Sequence, residues 1–424
     1  MVHIRSVSVA YQLMNILFIH QNFPGQFKHL SRVLAAQGHR VLALTPKVKE
    51  QVDWNGVTIM PYQIKAQTGK DTHPWLMDLD TKIKRADFCW RAAKDLKASG
   101  FDPDVIIAHP GWGESLFLKD VWPNAKLGLY AEFYHHAEYP HMGFDPEFPV
   151  QDADRDVLRI RMKNQNMKMH LPLCDAALSP TEYQASTFPD EWRNLITVTH
   201  DGVDTKHIRP NPDASFKLPD GRVLTRDDEV ITFVNRNLEP YRGYHIFMRA
   251  LPEILRTRPN AQILIVGGDG TSYGARPPEG QTWKRKYIDE MRSDIPDTDW
   301  ARVHFLGRIP YSTFVPMLQI SRAHLYLTYP FVLSWSVIET MAVGGALIAS
   351  NTAPVTEVLR HDENARLFDF FDKDALVGEL NAVLDDASLR ERLGETARKD
   401  AVEGFDLRNV CLPKQLAWVK ALAG

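Results

Sequence analysis

Cysteine is scarce in this 424-residue chain: Cys89, Cys174 and Cys411 are the only three, and they lie far apart. That spacing excludes a disulfide framework or a cysteine zinc site and fits a reducing compartment, so a cytoplasmic location is expected. No apolar run is long enough to span a membrane; the most apolar stretch, 332–349, is interrupted by Glu339. The first thirteen residues, MVHIRSVSVAYQL, lack the apolar stretch and cleavage signature of a secretion signal. They are expected to form a poorly ordered extension, because Met14 opens MNILFIH, which reads as the start of a first strand. An excess of one charge is missing too. A formal net charge of −3 leaves no basic footprint, which argues against nucleic acid as a partner.

What is present is an ordinary globular mixture, 44% hydrophobic and 24% charged, in a chain too long for one core. Two domains are the expectation. Short apolar runs alternate with helix-period segments. The first run, 15–19 (NILFI), is followed by the loop HQNFPG, then by Phe27, Leu30, Val33 and Leu34 at helical spacing, a stop at Gly38, and a second run at 41–44. This is a β-α-β unit whose parallel strands, covered on both faces, read as continuously apolar. Further runs follow at 105–108, 127–130, 176–178 and 196–198. The stretch 207–222 (HIRPNPDASFKLPDGR) has the composition of a linker. Alternation then restarts at 230–234, 263–266, 303–306, 325–328, 347–349 and 367–368, and 376–422 is mostly helical. The expected organisation is an extension over 1–13, a first α/β domain over 14–207, a linker over 208–222, a second over 223–405 and a terminal helix over 406–424.

In parallel α/β sheets ligands sit beyond the carboxyl ends of strands, where turns lead into helix N-termini. Three such turns carry chemistry. In HQNFPGQF, Gly25 stands where strand hands over to helix and its backbone can approach an anion; a plain tight turn is the alternative. In NRNLEPYRG, Arg236 and Arg242 can hold a pyrophosphate by forked hydrogen bonds, or be merely solvated. In YPFVLSWSVIETMAVGG, Ser336 and Glu339 have capping-box spacing, so Glu339 either closes a helix or accepts hydrogen bonds from two ribose hydroxyls. GGDGTSYG, 267–274, has Tyr273 where a dinucleotide fingerprint needs its third glycine and is set aside as a nicotinamide site. AHPGWGE and YAEFYHH crowd His109, Glu114, Glu132, His135 and His136 near one sheet edge, without an HxH or HxxxH pair; acceptor or donor contacts are favoured over a metal. The basic run Arg155, Arg159, Arg161, Lys163 and Lys168 reads as a solvated helix face, with membrane contact as the alternative.

Taken in order, NRNLEPYRG, DGVD at 201–204 and ETMAVGGALIAS at 339–350 resemble the phrases of the retaining glycosyltransferases of the large family numbered four, over about 15–424. HQNFPGQF, HPGWGE and GFDPEFP are similar to its bacterial branch linked to surface-polysaccharide synthesis. The resemblance implies the GT-B architecture, two Rossmann-like domains facing a cleft, with the terminal helix returning to the first domain through Leu412, Leu416, Val419 and Leu422. It implies a hexose moved from a UDP-, GDP- or ADP-sugar to a glycan, lipid-linked or small-molecule acceptor, with retained configuration. The donor is then a substrate and no cofactor or metal is expected; peripheral contact with the inner face of a membrane stays open. Arg236, Arg242, Glu132 and His109 are the candidate catalytic residues, and Gly25, Arg308, Ser334, Trp335, Ser336 and Glu339 the candidate donor-binding ones. Two departures stand out: the family's glutamate eight positions before Glu339 is Phe331 here, and its first-domain histidine is replaced near Glu132. An epimerase of the same architecture and a non-catalytic nucleotide-sugar or glycan-binding protein remain as alternatives.

Overall fold

The computed structural model of the protein describes residues 13–66, 69–136, 143–150 and 152–424. Apart from Leu13, the expected N-terminal extension lies outside the described residues.

The first domain is built on eight strands: β1 (Asn15–Ile19), β2 (Arg40–Thr45), β3 (Val52–Trp54), β4 (Val57–Pro61), β5 (Val105–Ala108), β6 (Lys126–Tyr130), β7 (Ala176–Ser179) and β8 (Ile196–Val198). They lie in the order β3-β4-β2-β1-β5-β6-β7-β8, and all pairs are parallel except β3–β4. Ile16 to Ile19 of β1 and every residue of β5 are buried, as a sheet covered by helices on both faces requires. Strand order reverses between β1 and β5. The loops after those strands therefore diverge and leave a crevice.

Next comes a hairpin, β9 (Ser215–Lys217) and β10 (Val223–Thr225), inside and beside the stretch read as linker. Its polar and proline-rich composition hides an alternation: Phe216, Leu218 and Leu224 turn inward and join the second domain's core. That domain's sheet contains β11 (Val230–Asn237), β12 (Gln262–Gly268), β13 (Val303–Gly307), β14 (Ala323–Tyr326), β15 (Leu347–Ser350) and β16 (Arg366–Phe368), in the order β13-β12-β11-β14-β15-β16 and parallel throughout. Here the reversal falls between β11 and β14, where NRNLEPYRG and the 327–334 loop emerge.

The chain passes between the domains at two places that lie side by side. Val203 N–H donates to Phe405 O and Leu407 N–H to Val203 O, each at 2.9 Å. Arg398 ties the crossing down through the carbonyls of Thr205, Ile208 and Ala342. The terminal helix Leu412–Ala423 then lies on the first sheet, where Trp418, Val419 and Leu422 share a core with Ile16, Phe18 and Ile107. A further first-domain segment, 143–150, reaches across: Phe144 packs on Tyr329 and Phe370, Asp145 accepts from the Tyr329 hydroxyl, and Glu147 pairs with Arg249. Among the described residues no helix is long and apolar enough to cross a membrane.

Candidate active site

The crevice at the β1/β5 reversal is lined by rings and carboxylates. After β1 the backbone turns through Gly25 with φ of +46°, and a Cβ there would lie 2.4 Å from the His20 ring. The turn thus admits only glycine, because both conformation and space are spoken for. His20 Nδ1 accepts from Asn22 N–H at 2.9 Å, which places its proton on Nε2, donated to Gln26 Oε1 at 2.8 Å. Burial, with His109 alongside, pushes the His20 pKa down to about 3, so the ring stays neutral. Gln26 passes the polarity on, its Nε2 donating to Glu132 Oε1 at 3.4 Å.

His109, just beyond β5, accepts from Gly111 N–H through Nδ1 at 3.1 Å and is clamped between Tyr130 and Trp112. Its buried Nε2 has no hydrogen bond among the described residues and points at Glu132 Oε2, 3.7 Å away. Glu132 is 39% exposed, and the exposed part faces the cleft. Burial works against its ionisation, but His109, His20 and Arg242 more than offset that and hold the carboxyl below its ordinary range. Next to it lies Asp201, whose carboxylate accepts from the Tyr130 hydroxyl and from Trp335 Nε1. Burial is the main cause, and Glu132 a further one, that pushes Asp201 up to about 7.

The second domain supplies cations. Arg242 is buried, and its Nη1 donates to Thr328 Oγ1 and Val332 O at 2.8 Å and to the Tyr326 hydroxyl at 3.2 Å. The guanidinium lies 5.0 Å from the Tyr273 ring centre. Its plane is fixed before any ligand arrives. Arg236, by contrast, is exposed and has no hydrogen bond or ion pair among the described residues. Opposite begins the helix Trp335–Ala342, capped by Ser334, whose Oγ accepts from Ser336 N–H at 3.3 Å. Unpaired amides and the dipole at such a helix start favour an anion.

Ser334 is the cap, so the capping-box reading of Ser336 and Glu339 does not hold. Glu339 is buried and accepts from the Tyr311 hydroxyl at 2.5 Å; burial raises its pKa above the ordinary range. It stands one helical turn inside the helix, facing the neighbouring helix Tyr311–Ile320.

Glu132, Arg236, Arg242, Ser334 and Trp335 line one cavity of about 280 Å³ between the domains. His109, Gly25 and Ser336 stand behind it, supporting Glu132, His20 and Ser334 respectively. Arg308 and Glu339 lie to one side: Arg308 donates to Asn237 Oδ1 at 3.1 Å near Gly268. Tyr130, Gln26, Asp201 and Tyr273, none of them a site candidate from the sequence, also line it. Asp201 carried a signal, since it opens DGVD, one of the phrases that carry the family resemblance. Phe331 is buried and packs on Phe133 across the domain boundary, ring centres 4.8 Å apart. Among the described residues no group of three or more His, Cys, Asp or Glu is placed to hold a metal ion.

Both halves of the chain match known protein families. Residues 37–208 match the family model Glycosyl transferase family 4 group, and residues 219–400 match Glycosyl transferases group 1. A phosphatidyl-myo-inositol mannosyltransferase of Mycolicibacterium smegmatis is 28% identical over 193 residues, 45% of this chain and 43% of that protein. A glycogen synthase of Mycobacterium tuberculosis is 24% identical over 423 residues, 93% of this chain and 90% of its own length. Among solved structures, sucrose-phosphate synthase from Thermosynechococcus elongatus superposes with a TM-score of 0.71 at 17% identity, covering 97% of this chain and 99% of that one. An Anabaena protein solved with UDP and glucose gives 0.64 at 16%, covering 96% and 99%. Glycosyltransferase models thus account for both halves, and the structural likeness gives the architecture that joins them: the chain is a glycosyltransferase of the two-domain GT-B fold.

Proposed function

We propose that the protein transfers a hexose from a nucleotide-sugar to a glycan, lipid-linked or small-molecule acceptor with retention of anomeric configuration, in the manner of the surface-polysaccharide enzymes. The observation that carries this is the placement of Arg236 and Arg242 opposite the helix start at Ser334, with Glu132 on the facing wall of the same cavity. The difficult event in such a reaction is departure of the nucleoside diphosphate. The bond between the anomeric carbon and the β-phosphate oxygen breaks, the electron pair leaves with the phosphate, and the sugar approaches an oxocarbenium ion. Arg242, already oriented, and Arg236, free to close, are assigned to that developing charge, a task given to a divalent ion elsewhere. The acceptor oxygen then bonds to the same face of the anomeric carbon, and its proton goes to the departing phosphate. Glu339 is assigned to the ribose hydroxyls, displacing Tyr311. Glu132, its carboxyl held below the ordinary range chiefly by His109, is assigned to hydroxyls of the bound sugars. The UDP in the Anabaena neighbour supports a nucleoside diphosphate as the leaving group. Closure excludes water that would hydrolyse the donor. A cytoplasmic location follows as the place where nucleotide-sugars are available.

The test is thermal stability against a panel of nucleoside diphosphates and nucleotide-sugars, with chelator and then with magnesium. A ligand at a hundredfold excess over its Kd stabilises by about 2.7 kcal/mol. A selective, metal-independent shift abolished by Glu339→Ala is expected. No shift with any nucleotide sinks the proposal.

A further inference from the structure

At the end of the second domain's sheet away from the cleft lies a cavity of about 290 Å³. It is walled by residues that lead into three strands, Arg226 before β11, Arg322 before β14 and Ala346 before β15, and by the helix Ala387–Phe405. The loops that form the transfer site leave the opposite ends of β11 and β14. A ligand held here is therefore remote from the reacting atoms.

The charges of the lining do not balance. Four guanidiniums, of Arg226, Arg322, Arg390 and Arg398, face two carboxylates, Glu391 and Glu395, both of them exposed. Among the described residues no ion pair involves any of these six side chains. Just outside the lining, Glu229 acts on Arg390 but is shared with Arg258, and Asp406 acts on Arg398 but is opposed by Arg209. What holds the arginines is backbone carbonyl, which fixes direction without cancelling charge. Arg322 donates through Nε and Nη2 to the carbonyls of Arg226 and Asp227, and Arg390 through Nη1 to those of Val383 and Leu384. Arg390 Nε and Nη2, Arg322 Nη1 and the whole Arg226 guanidinium have no partner among the described residues. Burial, with Arg322 next, holds Arg390 below the ordinary arginine range, and burial does the same for Arg398.

Oriented cations with unused donors in a half-buried pocket are stabilised by an anion that accepts from several at once. A phosphate ester carries close to two negative charges at neutrality and three acceptor oxygens, which matches the surplus. The volume is at the small end of ligand cavities, room for a phosphate with little more than one sugar ring. Arg398 connects the cavity to the rest of the molecule, because its other contacts are the carbonyls of Thr205 and Ile208, where the chain crosses between the domains.

We infer that this cavity is an effector site: it binds a small phosphate-bearing metabolite outside the transfer cleft, and its occupancy alters closure of the cleft through Arg398. The anion site does not depend on the transferase reading.

The experiment is calorimetric titration of the full-length protein, at fixed ionic strength and with the cleft saturated by a nucleoside diphosphate, using inorganic phosphate and then a hexose 6-phosphate. At least one is expected to bind, and to bind tenfold or more weakly in Arg226→Ala/Arg390→Ala. Arg226→Glu, which alters only an exposed side chain, is expected to weaken it likewise. Arg392→Ala/Lys399→Ala removes as much charge from the same helix outside the cavity and is expected to leave binding intact. Equal affinity for the two probes identifies free phosphate as the ligand, tighter binding of the ester a phosphorylated sugar. Saturating phospho-ligand is expected to change the Kd of the nucleoside diphosphate at least threefold, and Arg226→Glu to abolish that change while leaving the Kd without phospho-ligand as it was. Absence of binding, binding that survives both arginine variants, or a nucleoside diphosphate Kd indifferent to the phospho-ligand overturns the inference. Should no nucleoside diphosphate bind at all, the transferase reading fails; direct titration still decides the anion site, and the radius of gyration with and without phospho-ligand decides its effect on closure.

Discussion

The indole Nε1 of Trp335, on the second domain, donates to Asp201 Oδ2, on the first, at 2.8 Å, and the Tyr130 hydroxyl donates to the same carboxylate. Both donors suit an ionised Asp201, yet burial is the larger influence and lifts its pKa from 3.8 to about 7. A bond that joins the domains at the mouth of the cleft therefore hangs on a group that titrates near neutrality.

The sign follows from proton counting. Between about 4 and 7 the folded protein keeps a proton on Asp201 that the unfolded chain has released, so stability from this group falls as pH rises through that window. Asp201→Asn keeps acceptor and shape without titrating. It is expected to flatten the decline and to raise Tm at pH 8 by on the order of 2 °C. Parallel profiles of Tm against pH for the two proteins would show that Asp201 does not carry the effect.

Arg242 reaches its place by three hydrogen bonds from one nitrogen, to Thr328, Val332 and Tyr326. Arg242→Lys keeps the charge and loses the fork that fixes its direction. An expected loss of about 3 kcal/mol in the barrier corresponds to a roughly hundredfold drop in kcat. Donor Kd should move far less, because the guanidinium's task is assigned to the departing charge. A raised Kd with unchanged kcat would instead make Arg242 a ground-state contact.

Glu339 and Tyr311 give a sharper test of where the ribose sits. Their 2.5 Å bond occupies the carboxylate in the absence of ligand. Tyr311→Phe removes the competitor, so nucleotide affinity is expected to hold or to rise a few-fold. Glu339→Ala is expected to weaken nucleoside diphosphates by tenfold or more while leaving inorganic diphosphate unaffected. Equal losses for both ligands would place Glu339 away from the ribose.

The alternating sheets were legible because buried parallel strands must be apolar throughout, and every run named from the sequence, from 15–19 to 367–368, lies in or abuts a strand. Two hairpins were not. The strands β3 and β4 are short and polar on one face, although Asn55 and Gly56 at their turn, both with positive φ, are the residues such a turn needs. The other, β9–β10, was masked by its prolines. At the site, Arg236, Arg242 and Glu132 could be named because strand ends and helix starts are readable. Their relation to Asp201 could not, since residues about 35 to 70 positions apart meet only through the packing of two sheets. Spacing alone also left Glu339 ambiguous: the glutamate of a capping box and one in a helix's second turn read alike.

Phe331 is where the family resemblance and the structure part most clearly. A glutamate there would offer hydroxyl acceptors; the phenyl ring instead joins Phe133 and Tyr183 of the first domain to Tyr241, Tyr273 and Val332 of the second. Removing such a ring from a fixed core costs roughly 3–5 kcal/mol because a cavity remains. Here the cluster straddles two domains, so the gap can be relieved by their separation. Phe331→Ala is therefore expected to open the molecule, raising the radius of gyration in small-angle scattering and lowering kcat, with only a few degrees lost in Tm. Phe331→Glu should behave alike: its carboxylate gains Arg242, whose guanidinium is 5.9 Å from the present ring centre, but loses every cross-domain ring contact. If both variants scatter as the parent does and turn over as fast, closure does not depend on this cluster.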